Sequence, residues 1–183
     1  SGEVLMNGKP IKVARPQDAI RSNIGMITED RRGTGIIGCL SIADNVSISS
    51  MDQYLDMGFV LNHKKIEQLV KDNVAKLSIK TPSSKTTIQS LSGGNQQKVI
   101  ISRWLANNPD VLIMDEPTRG IDVGAKYEIY QIMINLAKQG KAIIMISSEM
   151  PELIGMCDRI MVMCNGRITG EVSGEEATQE NIM

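Results

Sequence analysis

Two short stretches carry residues suited to a phosphorylated ligand. The first is Leu91-Ser92-Gly93-Gly94-Asn95-Gln96-Gln97-Lys98. Ser92 suits a helix N-cap, and two adjacent glycines let the backbone approach a ligand with no Cβ in the way. The unpaired N–H groups and the dipole of such a helix start favour an oxyanion, most often a phosphate. The second is Val111-Leu112-Ile113-Met114-Asp115-Glu116-Pro117. A short apolar run ending in two acids fits a buried strand that delivers carboxylates to the edge of a sheet. There Asp115 is placed to hold Mg²⁺ and Glu116 to polarise an attacking water. Each stretch alone has a plainer reading, as simple helix capping or as a solvated strand end. In this order, with an amphipathic helix between them, they are far more specific.

At these residues the chain resembles the nucleotide-binding cassette of ABC (ATP-binding cassette) transporters. Leu91–Gln96 resembles that family's signature motif and Val111–Glu116 its Walker B strand. Arg119-Gly120-Ile121-Asp122 resembles its D-loop. The longer wording Asp-Glu-Pro-Thr-Arg-Gly-Ile-Asp-Val-Gly-Ala-Lys at 115–126 is similar to the C-terminal cassette of double-cassette ATPases that drive ribose- and galactose-type sugar importers. The resemblance implies an α/β, P-loop NTPase-like cassette. Its parallel sheet core carries β-hairpins and an inserted helical subdomain at about 41–107, all within one partial domain over 1–183. It implies ATP and Mg²⁺, with Glu116 catalytic, Asp115 on the metal and Asp122 in the D-loop. Ser92, Gly93, Gly94, Asn95 and Gln96 would act in trans on nucleotide held by a partner cassette. That partner is the N-terminal cassette of the same protein or a second copy. A membrane permease subunit is implied too, placing the protein at the cytoplasmic face of the membrane.

The chain departs from the family pattern at two positions. Glu29 occupies the Q-loop position, opening Glu29-Asp30-Arg31-Arg32-Gly33-Thr34-Gly35. A carboxylate can coordinate Mg²⁺ but, when ionised, cannot donate a hydrogen bond. Read on its own, this charged, glycine-rich stretch is a solvated turn. Ser148 occupies the switch position, where the family has histidine. A serine can hydrogen-bond a phosphate but supplies no imidazolium. The phosphate-cradling pattern Gly-x₄-Gly-Lys-[Ser/Thr] does not occur in the 183 residues. In the family it lies just before the hairpin with which this sequence starts. The expectation is therefore an N-terminally truncated cassette, with little or no ATP turnover from these residues alone. Enzyme activity would belong to the intact protein.

Composition sets the outer bounds. A chain of 183 residues that is 42% hydrophobic fits one globular domain or most of one. A net charge of −1 gives no argument for nucleic acid or an anionic membrane surface. No apolar run approaches the roughly 18 residues of a membrane span, so association with a membrane is expected through a protein partner. Cys39, Cys157 and Cys164 are odd in number and lack Cys-x-x-Cys spacing, which suggests reduced thiols. With one Trp, one Phe and twelve Met, a Met-rich core is expected. His63, the only histidine, has no second metal ligand in view and reads as a surface residue.

The elements that must position these residues follow from spacing and caps. Asn7-Gly8 marks a hairpin turn within 1–13, and Pro16 opens a short helix to about Ser22. A strand over 23–28 precedes the Glu29–Gly35 loop. Helices are expected at 41–50 and 62–80, with a loop at 56–61, and the second carries the stripe Ile66, Leu69, Val70, Val74 and Leu77. Ser92 starts a helix to about Asn107, and Asp122 caps one over 123–139 that Gly140 ends. The apolar run Ala142–Ile146 reads as a second buried parallel strand. Strand, long helix, strand is a βαβ unit and argues for a parallel sheet. Asn165-Gly166 closes a second hairpin over 159–172, and Thr178 caps a last helix.

Two other functions fit the motifs less well. One is a soluble, non-transport ABC-type ATPase; the other is a non-catalytic interaction fragment. Asn95-Gln96-Gln97-Lys98 with Thr118–Asp122 favours the importer.

Overall fold

The computed structural model of the protein describes residues 2–183, so Ser1 of the expected opening hairpin lies outside them. Strands β1 (Val4–Met6) and β2 (Lys9–Ile11) pair antiparallel. Asn7 and Gly8 between them have φ of 52° and 75°, the left-handed values that a tight hairpin turn requires. Helix α1 (Pro16–Arg21) starts on proline and leads into β3 (Ile24–Ile27).

The stretch after β3 is more ordered than the solvated turn expected of it. Gly35 N–H donates to Asp30 O at 3.0 Å and Ile36 N–H to Arg31 O at 2.9 Å, closing a wide i→i+5 turn. The Asp30 carboxylate stops its open end by accepting from Gly33 N–H at 2.9 Å.

Helix α2 (Ile42–Ser47) is capped by Ser41 and ends sooner than expected, followed by a separate short turn at Met51–Tyr54. The stretch expected as a loop at 56–61 is a small hairpin, β4 (Leu55–Asp56) with β5 (Val60–Leu61). Met57 and Gly58 take φ of 53° and 81° at its tip. Helix α3 (His63–Lys76) stops four residues before the expected Lys80. Ser78 adopts φ of 49°, and Ile79 N–H turns back to Val74 O at 2.9 Å, so the helix closes before Pro82 is reached.

The remaining elements, apart from an unexpected short helix at Met150–Met156, follow the sequence closely. They are α4 (Gly93–Leu105), β6 (Val111–Asp115), α5 (Val123–Lys138) and β7 (Ala142–Ile146). Then come α6 (Met150–Met156), β8 (Arg159–Cys164), β9 (Arg167–Ser173) and α7 (Gln179–Ile182). Strands β3, β6 and β7 form a parallel sheet in that order, with β6 central and Ile27, Met114 and Met145 in register.

Helix α4 joins the two halves of the interior. Its Val99, Ile100 and Ile101 are buried alongside Ile27, Met114, Ile42, Val46 and Val70 in one continuous core. At its far end Arg103 donates to Gly35 O, Asn45 O and Asn45 Oδ1, each at 2.7 Å. These bonds fix the Asp30–Gly35 turn and α2 onto the helix.

Two expectations need correction. Strand β7 is not fully buried: Ile144 and Ile146 are 49% and 47% exposed, because it is an edge strand with one open face. Nor is the core rich in methionine. Only Met114 and Met133 are buried among the described residues, and β-branched and leucine side chains fill the rest. Those stiffer side chains suit close packing around a sheet.

Candidate functional site

The start of α4 is built by local contacts. Ser92 caps it, its Oγ accepting from Asn95 Nδ2 at 3.0 Å and more weakly from Asn95 N–H at 3.5 Å. Asn95 Oδ1 in turn accepts from Lys80 N–H at 2.8 Å, tying the helix start to the chain after α3. Gln96 faces inward, donating to Leu91 O at 3.1 Å, so its side chain braces the turn before the helix.

The two glycines differ. A Cβ on Gly94 would lie 2.4 Å from Ala125 Cβ, so this glycine is what lets α4 approach α5. A Cβ on Gly93 would meet the guanidinium tip of Arg31 at 3.0 Å, a side-chain end that can move, and Gly120 O at 3.5 Å. A cleft of about 250 Å³ beside this helix start is lined by Lys80, Ser92, Gly94, Asn95, Asp122 and Glu128 among others. Lys98, 2% exposed, anchors the helix from below, pairing with Glu128 at 2.7 Å and donating to Ser78 O at 3.0 Å.

Strand β6 delivers the acids. Asp115 is its last residue, and Glu116 follows with φ of 45°. That left-handed backbone, uncommon for a residue with a Cβ, turns the chain sharply at the sheet edge. Glu116 N–H donates to Ile146 O at 2.8 Å, and Glu116 Oε1 accepts from Ser148 N–H at 2.7 Å. The switch position thus reaches Glu116 through its backbone.

Glu29 and Asp122 have partners of their own. Arg119 pairs with the Glu29 carboxylate, offsetting the charge that this departure introduces. Arg31 Nη1 donates to Arg119 O at 3.2 Å, so Arg119 is held by two residues of the Glu29–Gly35 stretch, Glu29 and Arg31. The Asp122 carboxylate caps α5, accepting from Ala125 N–H at 3.0 Å.

Sequence reasoning missed Glu152, which is 6% exposed and at the centre of a polar network. Its carboxylate accepts from Thr118 Oγ1, Tyr130 OH at 2.6 Å, Lys126 Nζ at 3.1 Å and Ser147 Oγ at 3.0 Å. Burial pushes its pKa up, but the four donors outweigh that and hold it below the usual carboxylate value. Tyr130 is pushed up to about 12 by burial first and by the adjacent Glu152 second. The residues are scattered along the chain, and no spacing rule joins them. Arg31 and Arg119 were named only as members of motifs, because their contacts depend on the fold.

Among the described residues, no group of three or more His, Cys, Asp and Glu is arranged to hold a metal. No helix among them is long and apolar enough to cross a membrane.

Comparison with known proteins gives one consistent result. Residues 1–119 match the family described as ABC transporter. The galactose/methyl galactoside import ATP-binding protein of Clostridium tetani is 58% identical over 183 residues, the match covering all of this chain and 36% of that protein. The ribose import ATP-binding protein of Rubrobacter xylanophilus is 51% identical over 183 residues, covering all of this chain and 37% of that protein. The chain thus spans little more than a third of the length of these relatives. Among solved structures, a component of an ABC transporter complex from Clostridium perfringens aligns with a TM-score of 0.77 at 26% identity, covering all of this chain and 70% of that one. A nucleotide-free ATP-binding cassette from an ABC transporter aligns with a TM-score of 0.79 at 21% identity, which speaks to the fold alone.

Proposed function

This chain belongs to the ABC transporter family, and from that premise we propose that it is part of the ATP-hydrolysing motor subunit of a ribose- or galactose-type monosaccharide importer. The observation that carries the reading is 58% identity, over every residue of the chain, to a galactose/methyl galactoside import ATP-binding protein. The motifs quoted at 91–98 and 111–126 are the parts of the chain that such a role would use.

In this reading Glu116 is the general base, taking a proton from the water that attacks the γ-phosphorus. The Ser148 N–H fixes its carboxylate from one side. The chain donates the start of α4 to a nucleotide held by a partner cassette. First-turn N–H groups of a helix lack intrahelical partners, and the cleft lined by Ser92 and Asn95 lies at this helix start, where a phosphate oxygen would approach. Ser92 and Asn95 shape that surface, whereas Gly94 and Gln96 support it from within.

Asp115 suits a Mg²⁺ site. Magnesium typically takes one or two protein carboxylates and fills its shell with phosphate oxygens and water, so a lone carboxylate at the strand end is an adequate protein share. Bound there, the ion would offset negative charge on the phosphate oxygens. Glu29 does not add a second free carboxylate, since Arg119 pairs with it.

The partners in this reading are a second cassette, within the same polypeptide or in another copy, and a membrane permease. The helical region at about 41–107 with the Glu29–Gly35 turn would dock on the permease. In support, Arg103 ties that turn to α2 and α4, and the β4–β5 hairpin presents Met57 and Phe59, 90% and 76% exposed. The protein would work at the cytoplasmic face of the membrane through that contact. The test is sugar uptake by vesicles holding the full-length protein and the permease encoded beside it. ATP-dependent uptake of galactose or ribose supports the proposal; a full-length protein that hydrolyses ATP with no permease partner and no sugar uptake overturns it.

A further inference from the structure

We infer that Glu152 is a positioning residue for Glu116, acting through Ser147 and the backbone N–H of Ser148. The inference rests on the reading of Glu116 as the base.

A buried carboxylate is costly unless it is paired and hydrogen-bonded. Glu152 has four donors, and they come from three separate parts of the chain. Thr118 lies two residues after Glu116. Lys126 and Tyr130 lie on the first turns of α5. Ser147 lies at the end of β7, immediately before Ser148. Both flanks of the Glu116–Ser148 contact, at 118 and at 147, are therefore fastened to one side chain.

The chemistry of Ser147 fixes the direction of the chain of bonds. An ionised carboxylate only accepts, and a serine hydroxyl has one proton. Ser147 must spend that proton on Glu152 Oε2, leaving its lone pairs to accept Glu149 N–H at 3.0 Å. The two bonds orient the hydroxyl and brace the turn Ser147-Ser148-Glu149, which Lys126 also holds by pairing with Glu149 at 2.7 Å. In this turn Ser148 N–H lies 2.7 Å from Glu116 Oε1. The Glu116 N–H bond to Ile146 O holds the same two segments together from the backbone side. Glutamine at 152 would disturb this arrangement, since it removes the charge that pairs with Lys126, and its amide nitrogen would either face that ammonium or reverse the bond to Ser147 Oγ.

The test uses the full-length protein with Glu152→Gln, Ser147→Ala, their double variant, Glu116→Gln, and Glu116→Gln combined with Glu152→Gln. Steady-state ATP hydrolysis gives kcat and KM, and hydrogen–deuterium exchange follows the Ser148 amide. Glu152→Gln is expected to lower kcat by about 10- to 100-fold, the scale of a misplaced catalytic group, with KM unchanged. Ser147→Ala should act in the same direction, and the double variant should be no worse than the worse single, because the two lie on one path. Added to Glu116→Gln, Glu152→Gln should cost nothing more. Exchange at Ser148 should speed up in both variants. If Glu152→Gln fails to fold, Ser147→Ala, which deletes one half-buried hydroxyl, carries the test alone.

Wild-type kcat in Glu152→Gln, or in Ser147→Ala, beside an inactive Glu116→Gln would overturn the positioning role while leaving Glu116 as base. Wild-type kcat in Glu116→Gln would remove the base itself, and this inference with it.

Discussion

The backbone N–H of Ser148 donates to Oε1 of Glu116 at 2.7 Å, across the ends of two neighbouring strands. Because the contact uses the main chain, it survives any side chain at 148 that keeps the backbone in place. Ser148→Ala should therefore leave Glu116 correctly posed. The loss in kcat should not exceed about tenfold, the scale of one neutral hydrogen bond of roughly 0.5–1.5 kcal/mol. Steady-state hydrolysis by the full-length protein checks this. A loss as deep as that of Glu116→Gln would mean that the serine hydroxyl itself is essential.

Gly93 and Gly94 should respond differently to alanine. At 94 the added Cβ would overlap Ala125 Cβ, 2.4 Å away, with two backbones behind them. Such overpacking typically costs about 1–3 kcal/mol, so Gly94→Ala should lower the unfolding midpoint, and Ala125→Gly should restore part of it. At 93 the neighbour is the flexible end of Arg31, and Gly93→Ala should barely change the midpoint. Thermal unfolding of the three variants decides; equal effects at 93 and 94 would contradict the packing account.

Lys98 is a buried charge with one charged partner, Glu128. Its side chain is 2% exposed while Glu128 is 44% exposed, so only the lysine pays a large desolvation cost when the pair is cut. Glu128→Ala should destabilise the protein by about 1–3 kcal/mol. Lys98→Met removes the charge together with its need for a partner and should cost less. Denaturant unfolding measures both, and the opposite order would show that the pair matters little.

The Glu152 network predicts a dependence on pH at both extremes. Tyr130 has its pKa raised from 10.0 to about 12. A raised value means the folded state holds the proton more tightly. The stability this group contributes is complete below about pH 10 and is lost as pH climbs towards 12. Glu152 has a lowered value, so its contribution is present above about pH 4.5 and is lost as pH falls below it. Phenolate absorbance of the wild type minus Tyr130→Phe should show one group titrating near pH 12. A step near pH 10 would contradict the burial and hydrogen bonding assigned to it.

Much of the fold was legible in the sequence because its signals are local. Ser92 and Asp122 cap helices as their residue types require, and Asn7-Gly8 and Asn165-Gly166 turn their hairpins with positive φ. The β4–β5 hairpin was not legible, since strands of two residues are too short to show alternation. Helix α6 was missed for a similar reason: it has only seven residues and no side-chain cap, and the proline in its first turn, a helix-start signal, went unread. At the site, the motif residues stood out and their supports did not. Glu152 gathers donors from 118, 126, 130 and 147, a set that only the folded chain brings together. The methionine expectation failed because abundance says nothing about placement; Met57, Met161, Met163 and Met183 are all exposed.

In the proposed function, the full-length protein hydrolyses ATP with Glu116 and lends the start of α4 to a partner's nucleotide. ATP-driven sugar uptake by the full-length protein with its permease, compared for wild type, Glu116→Gln and Gly93→Asp, tests it most directly. Glu116→Gln removes a general base, a change worth typically about 10²–10⁴ in rate, and should stop most uptake. Gly93→Asp sets a carboxylate at the helix start where a phosphate would approach and should stop it too, with the fold intact because the nearest neighbour it meets is the movable end of Arg31. Wild-type uptake in either variant, with the protein folded and assembled, would contradict the account.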